Sequence, residues 1–165
     1  LINDELDYVV SNNLSVAGEK RFNNRPEYTP DMIESLKEDE VFVFGSNLAG
    51  KHGGGAARMA YIHFGAIMGK GVGLQGQSYA IPTMQGGVET IQPYVDEFIE
   101  FARNHRDLFF YVTRIGCGIA GFRDEEIAPL FAEAIYEPNI CLPKSFAKLL
   151  QTGLFKEQED AGKHI

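Results

Sequence analysis

Short apolar runs alternate with amphipathic stretches along most of this chain. Val41-Phe42-Val43-Phe44 is continuous and apolar and stops at Gly45, the pattern of a strand buried on both faces. Tyr79-Ala80-Ile81, ended by Pro82, Leu108 to Val112, and Asn139-Ile140-Cys141-Leu142, ended by Pro143, repeat that pattern. Between them, Ala56 to Phe64 reads as a helix rich in small residues. Ile91 to Asn104 is the clearest helix, with Ile91, Tyr94, Val95, Phe98, Ile99 and Ala102 at helical spacing. Asp124 is expected to cap a helix running to about Ile135, with Glu125 and Glu126 in the first turn, where the dipole favours acids. Thr29 and Pro30 are expected to open a short helix with Met32, Ile33 and Leu36 on its apolar face.

Strands alternating with helices predict an α/β domain over residues 29–145. Its expected form is three layers, a mostly parallel or mixed sheet with helices on both faces. Residues 1–28 show no sustained period and read as an irregular arm. Residues 146–165 read as a tail packed on or beside the domain, a weak helix with a polar end. In such folds the ligand sits at the carboxyl ends of the strands. The loops 45–55 and 116–122 fall on that rim.

Composition narrows the function. The 165 residues fit one domain, and 44% hydrophobic content excludes a wholly disordered chain. No apolar run approaches the ~18 residues of a membrane span. A formal net charge of −8 argues against nucleic acid as the partner. The start, Leu1-Ile2-Asn3-Asp4-Glu5, has neither the basic nor the apolar region of a secretion signal, so a cytoplasmic location is expected. Cys117 and Cys141 are too few for a disulfide framework and have no metal-ligand spacing. Charge is uneven: residues 1–40 carry −6, residues 41–121 carry +1 and residues 122–165 carry −3. Fifteen of the 18 glycines lie between Gly45 and Gly121, so the glycine-rich centre is also the part that tolerates an anion.

Three motifs tempt a sharper reading. Gly45-Ser46-Asn47-Leu48-Ala49-Gly50-Lys51-His52 misses the phosphate-binding G-x-x-x-x-G-K-[ST] at His52, where a magnesium-binding hydroxyl is required. Gly53-Gly54-Gly55 then follows where a helix should begin, at a cost of ~1 kcal/mol per glycine. Gly116-Cys117-Gly118-Ile119-Ala120-Gly121 matches G-x-G-x-x-G, but the next strand ends Cys141-Leu142-Pro143 without the acid that would hold a ribose. Cys117 sits near a helix start, a setting that lowers a thiol pKa, but no His or Asp neighbours it in sequence, and the preferred reading is a small residue packed under a tight loop. His63 and His105 read as helix residues, whereas His52 lies in a loop expected to face ligand.

Both loops place adjacent glycines where a strand hands over to a helix, so backbone N–H groups can converge on phosphate with no Cβ in the way. Here the sequence resembles the macro domains that bind ADP-ribose. Val41 to Ala57, VFVFGSNLAGKHGGGAA, is similar to their buried strand, Asn-bearing loop and glycine run entering a helix. Thr113 to Ala128, TRIGCGIAGFRDEEIA, is similar to their second loop. The resemblance spans Val41 to Leu142. It implies that Gly45, Ser46, Asn47, Gly53, Gly54, Gly55 and Ala56 surround the distal ribose and its phosphate, with Asn47 nearest the ribose. Gly116, Cys117, Gly118, Ile119, Ala120 and Gly121 would wrap the diphosphate, and Phe122 would stack near the distal ribose.

Family members carry a Gly-Asp pair whose Asp recognises adenine; none lies upstream of Val41. The paired glutamates of poly(ADP-ribose) glycohydrolases are also missing, since the helix reads Ala56-Ala57-Arg58-Met59-Ala60. The expected function is binding of ADP-ribose or a related nucleotide diphosphate, without cofactor or metal. It extends to hydrolysis of an ADP-ribosyl linkage if Asn47 positions water and His52 moves a proton. The alternatives are a reader module without chemistry, a Rossmann-type dinucleotide binder and a protein-interaction domain.

Overall fold

The computed structural model describes Phe22 and residues 24–163, with side-chain surroundings up to residue 153. The rest of the expected N-terminal arm lies outside the described residues. Five strands form one mixed sheet: β1 (Glu40–Ser46), β2 (Gly73–Gln75), β3 (Ser78–Pro82), β4 (Phe109–Val112) and β5 (Ile140–Cys141), in the order β2-β3-β1-β4-β5. β1 is central and runs parallel to β3 and β4, β5 runs parallel to β4, and β2 pairs antiparallel at the edge. Helices α1 (Gly55–His63), α2 (Gln92–Arg103), α3 (Asp124–Ile127) and α4 (Lys144–Lys163) complete the α/β architecture.

The central strand shows why its apolar run is unbroken. Val41 and Val43 face a core with Phe98 of α2, Phe131 and Phe146 of α4, while Phe42 and Phe44 face a second core with Ala57 and Ala60 of α1. Side chains alternate across a strand, so a strand covered on both faces needs apolar residues at every position. Phe22 and Ile33 of the N-terminal segment join α1 on the second face. Helices therefore lie on both faces of the sheet, as expected.

Four local expectations change. Residues 29–36 form no helix. The Thr29 hydroxyl instead donates to the carbonyls of Val112 (2.7 Å) and Cys141 (3.1 Å), stitching the extended segment across β4 and β5. The helix expected from Asp124 to Ile135 breaks after Ile127 into a 3-10 stretch, Ala128–Tyr136, kinked at Phe131. Pro129 lacks the N–H that an α-helix would use there, and its ring clashes with the preceding turn. The cap position belongs to Arg123, whose N–H donates to the Glu126 carboxylate at 3.0 Å, and Asp124 is the first helical residue. The edge strand β2 has no forecast in the sequence. At the C-terminus, α4 is anchored by Phe146 and Leu150 in the first core, so the expected tail begins as part of the domain. No helix among the described residues is long and apolar enough to cross a membrane.

Candidate functional site

The parallel strands β1, β3 and β4 all end on the same edge, and a cleft of about 410 Å³ opens there. This lies within the ~300–1,000 Å³ typical of small-molecule sites. Both glycine loops reach it. Gly45, Ser46, Asn47, Gly54, Gly55 and Ala56 line one side, and Gly116, Gly118, Ile119 and Ala120 the other. The loops touch: a Cβ placed on Gly45 would lie 3.4 Å from the Gly116 nitrogen, and one on Gly54 would lie 3.4 Å from Ile119 Cδ1. Thr83 ties the end of β3 to the end of β1 by donating its N–H to the Ser46 carbonyl at 2.9 Å. Thr113 does the same from β4, its hydroxyl donating to the Val43 carbonyl at 2.7 Å.

The chemistry of the lining is carried by main-chain amides. Gly54 caps α1 without a side chain, no acid occupies the first turn, and the N–H groups of Gly55, Ala56 and Ala57 have no acceptor among the described residues. Unpaired N–H groups and the aligned helix dipole make such an end attractive to an anion. In the second loop the amides divide by role. Cys117, Gly121 and Phe122 donate inward, to the carbonyls of Arg114 (3.3 Å), Gly118 (3.0 Å) and Gly116 (2.8 Å). Gly116, Gly118, Ile119 and Ala120 donate to no acceptor among the described residues, and these four line the cleft. Positive φ at Gly116 (74°) and Gly121 (82°) permits this winding, which costs a residue with a Cβ about 1–2 kcal/mol.

The charged side chains of the cleft are cationic. Lys51 lies on the first loop and Arg114 follows β4, and no carboxylate or imidazole is among the lining residues. Arg114 is held by Asp124, whose Oδ1 accepts from Nε at 3.1 Å and Nη2 at 2.9 Å. Burial opposes ionisation of Asp124, but hydrogen bonds from Cys117 and Arg114 outweigh it and hold the carboxyl below its ordinary range. The same contact works against the Cys117 thiol: burial, then its hydrogen bond to Asp124, pushes it up to about 12. Burial, and then the Asp124 carboxylate, thus outweigh the place near a helix start, which on its own would lower a thiol pKa.

Arg114 and Thr113 also line a second, adjoining chamber, together with Thr29, Asp31, Asp124, Lys144 and Ser145. It covers the carboxyl ends of β4 and β5. Asp31 is close enough to Arg114 to favour its charged form, after the larger effect of Asp124. Sequence reading missed Asp31 because it placed residues 29–36 in a helix. Lys51, Thr83, Met84, Thr113 and Arg114 were also missed, although each follows a strand end or sits in a loop already singled out.

Of the residues expected at the site, Gly53, Cys117, Gly121 and Phe122 do not line the cleft. The Phe122 ring packs beside Gly116 and against the first core rather than toward ligand. His52 is corrected more sharply. Its ring is 1% exposed, edge-on to Phe44, with Nε2 at 2.9 Å from the Ile67 carbonyl and 3.2 Å from Gln75 Oε1. It therefore points away from the cleft. Asn47 reaches the cleft with its amide braced on the loop: Oδ1 accepts the Lys51 N–H at 2.8 Å and Nδ2 donates to the Lys51 carbonyl at 3.0 Å, which leaves a second N–H and a second lone pair. Among the described residues, no cluster of His, Cys, Asp or Glu could hold a metal ion. No protein-family profile, curated protein or solved structure matches this chain.

Proposed function

We propose that this cleft binds ADP-ribose or a closely related nucleotide diphosphate. The observation that carries the reading is the split in the second loop, where the amides left unbonded belong to the residues that line the cleft. Facing them are the free amides at the start of α1, with Lys51 and Arg114 beside them. Two amide cradles in a cleft that also carries two cations suit two linked phosphates. The adjoining chamber then takes the base. Asp31 supplies a carboxylate there, the group that accepts from an exocyclic amine, although Pro30 rather than glycine precedes it.

The reading favoured for this cleft is a binding module. Its lining offers hydrogen-bond donors and positive charge, while His52 is turned away and no acid or imidazole lies in the lining to move a proton. Calorimetric titration with ADP-ribose, ADP, NAD and AMP tests the proposal. ADP-ribose and ADP are expected to bind more tightly than AMP, which has a single phosphate. No binding of any of the four at millimolar ligand refutes it. Incubation with ADP-ribosylated protein tests the absence of chemistry, since release of free ADP-ribose that disappears in Asn47→Ala would make the protein a hydrolase.

A further inference from the structure

The first amide-bearing loop is not held by the sheet alone. Residues 65–77, which carry β2, wrap its back and bond to it along its length. Ser46 Oγ donates to the Gly71 carbonyl, the Gly69 N–H donates to the Gly50 carbonyl at 2.8 Å, and the His52 N–H points at Met68 Sδ at 3.4 Å. The two backbones are as close as backbones come. A Cβ on Gly50 would lie 2.3 Å from the Lys70 nitrogen, and one on Gly71 would lie 2.2 Å from the Asn47 carbonyl oxygen.

A single buried pair locks the two segments. Gln75 is 2% exposed; its Nε2 donates to the carbonyls of Lys70 (3.0 Å) and Gly73 (3.2 Å), so its Oε1 is the acceptor of the Ile67 N–H at 2.7 Å. That orientation fixes the His52 tautomer, because Oε1 and the Ile67 carbonyl can only accept. The hydrogen must sit on His52 Nε2, shared between them. Nδ1 is left buried and without a partner. The ring is thus a donor inserted from the ligand loop into the wrapping segment. Three residues further on, Gly55 begins the run of free amides.

We propose that His52 and Gln75 are positioning residues, and that residues 65–77 form a bracket holding the first cradle in its ligand-ready shape. This rests on the nucleotide-diphosphate reading above. A cradle of main-chain amides gains affinity by being organised before the ligand arrives, and a loop without a bracket would lose part of the binding free energy to its own ordering.

His52→Phe keeps the ring against Phe44 and removes the donor shared by Gln75 Oε1 and the Ile67 carbonyl, which keep only the Ile67 N–H (2.7 Å) and the Lys70 N–H (3.0 Å) respectively. It is expected to weaken ADP-ribose binding by roughly 2- to 10-fold, the net worth of one hydrogen bond. His52→Gln returns an N–H at similar reach and should recover most of that loss. In amide hydrogen exchange, His52→Phe should speed exchange at the bonded amides of Gly50, Lys51 and Gly69 while Val43 and Val112 keep wild-type protection. If affinity is unchanged in His52→Phe, or if Val43 and Val112 lose protection in step with Gly50 and Gly69, the bracket idea is wrong. If the wild type binds no nucleotide, the function reading fails, yet the exchange result still decides for or against the bracket. Should His52→Phe fail to fold, wild-type exchange decides it. Gly50, Lys51 and Gly69 should then open as one unit with a common protection factor, and rates scattered over more than about tenfold would overturn the proposal.

Discussion

Gly118→Glu separates the ligand-binding reading of the glycines from a purely conformational one. Gly118 lines the cleft, its φ is not in the left-handed region, and a Cβ built on it meets nothing within 4 Å. The folded protein should therefore accept a side chain there at no more than about ±0.5 kcal/mol, the usual range for an open surface position. A ligand diphosphate should not. At about 4 Å, two unit charges interact by ~1 kcal/mol in water and ~4 kcal/mol at an effective dielectric of 20. A glutamate beside the phosphates thus costs roughly 1–4 kcal/mol beyond its bulk, or about 5- to 1,000-fold in Kd. Gly118→Gln supplies the same bulk without charge, so the Glu/Gln ratio isolates the electrostatic part. Calorimetric titration of ADP-ribose against all three proteins, with thermal melts alongside, reads both effects. The Glu/Gln gap should shrink in 1 M salt, where the Debye length falls to ~3 Å. Wild-type affinity in Gly118→Glu would refute the cradle. Equal affinity of the Glu and Gln variants at low salt would show that no anion lies near this loop.

Two further outcomes follow from the contacts described. Gly71→Ala leaves the cleft lining untouched but drives a methyl into the Asn47 carbonyl; it should destabilise by roughly 1–3 kcal/mol and lower Tm by several degrees, with Tm unchanged counting against the close backbone approach. Asp124 has its carboxyl held below its ordinary value of 3.8, so it stabilises the folded state above that pH and loses the effect as pH falls through its lower folded value. Wild type should therefore be more stable than Asp124→Asn at pH 7, and the difference should close as pH falls below about 4 in urea denaturation; a gap independent of pH would deny Asp124 this role.

Much of the architecture can be read from the sequence where burial imposes a pattern. β1 is apolar from Val41 through Phe44 because both its faces are covered there, and α2 shows its stripe because only one face is buried. What cannot be read depends on distant partners. Thr29-Pro30 has a good helix start, but its hydroxyl finds two carbonyls across β4 and β5, and tertiary bonds outweigh local preference. β2 is three residues long, too short for any period to show. At the site, the location of both loops is legible, whereas the direction of each group is not. His52 stands between Lys51 and the glycine run yet points backward, because its acceptors arrive 15 and 23 residues later in the chain. Glycine itself carries two meanings that composition merges. Gly54, Gly55 and Gly118 keep a cleft open, while Gly50 and Gly71 let two backbones meet.

The central place of β1 has a consequence during synthesis. Phe42, Val43 and Phe44 leave the ribosome well before the strand that pairs their far side, since β4 ends only at Val112. At about 5–20 residues per second, an apolar strand with an open hydrogen-bonding edge waits roughly 3–14 s for its neighbour. Expression yield should therefore respond to translation speed and chaperone supply more than to the stability of the finished domain.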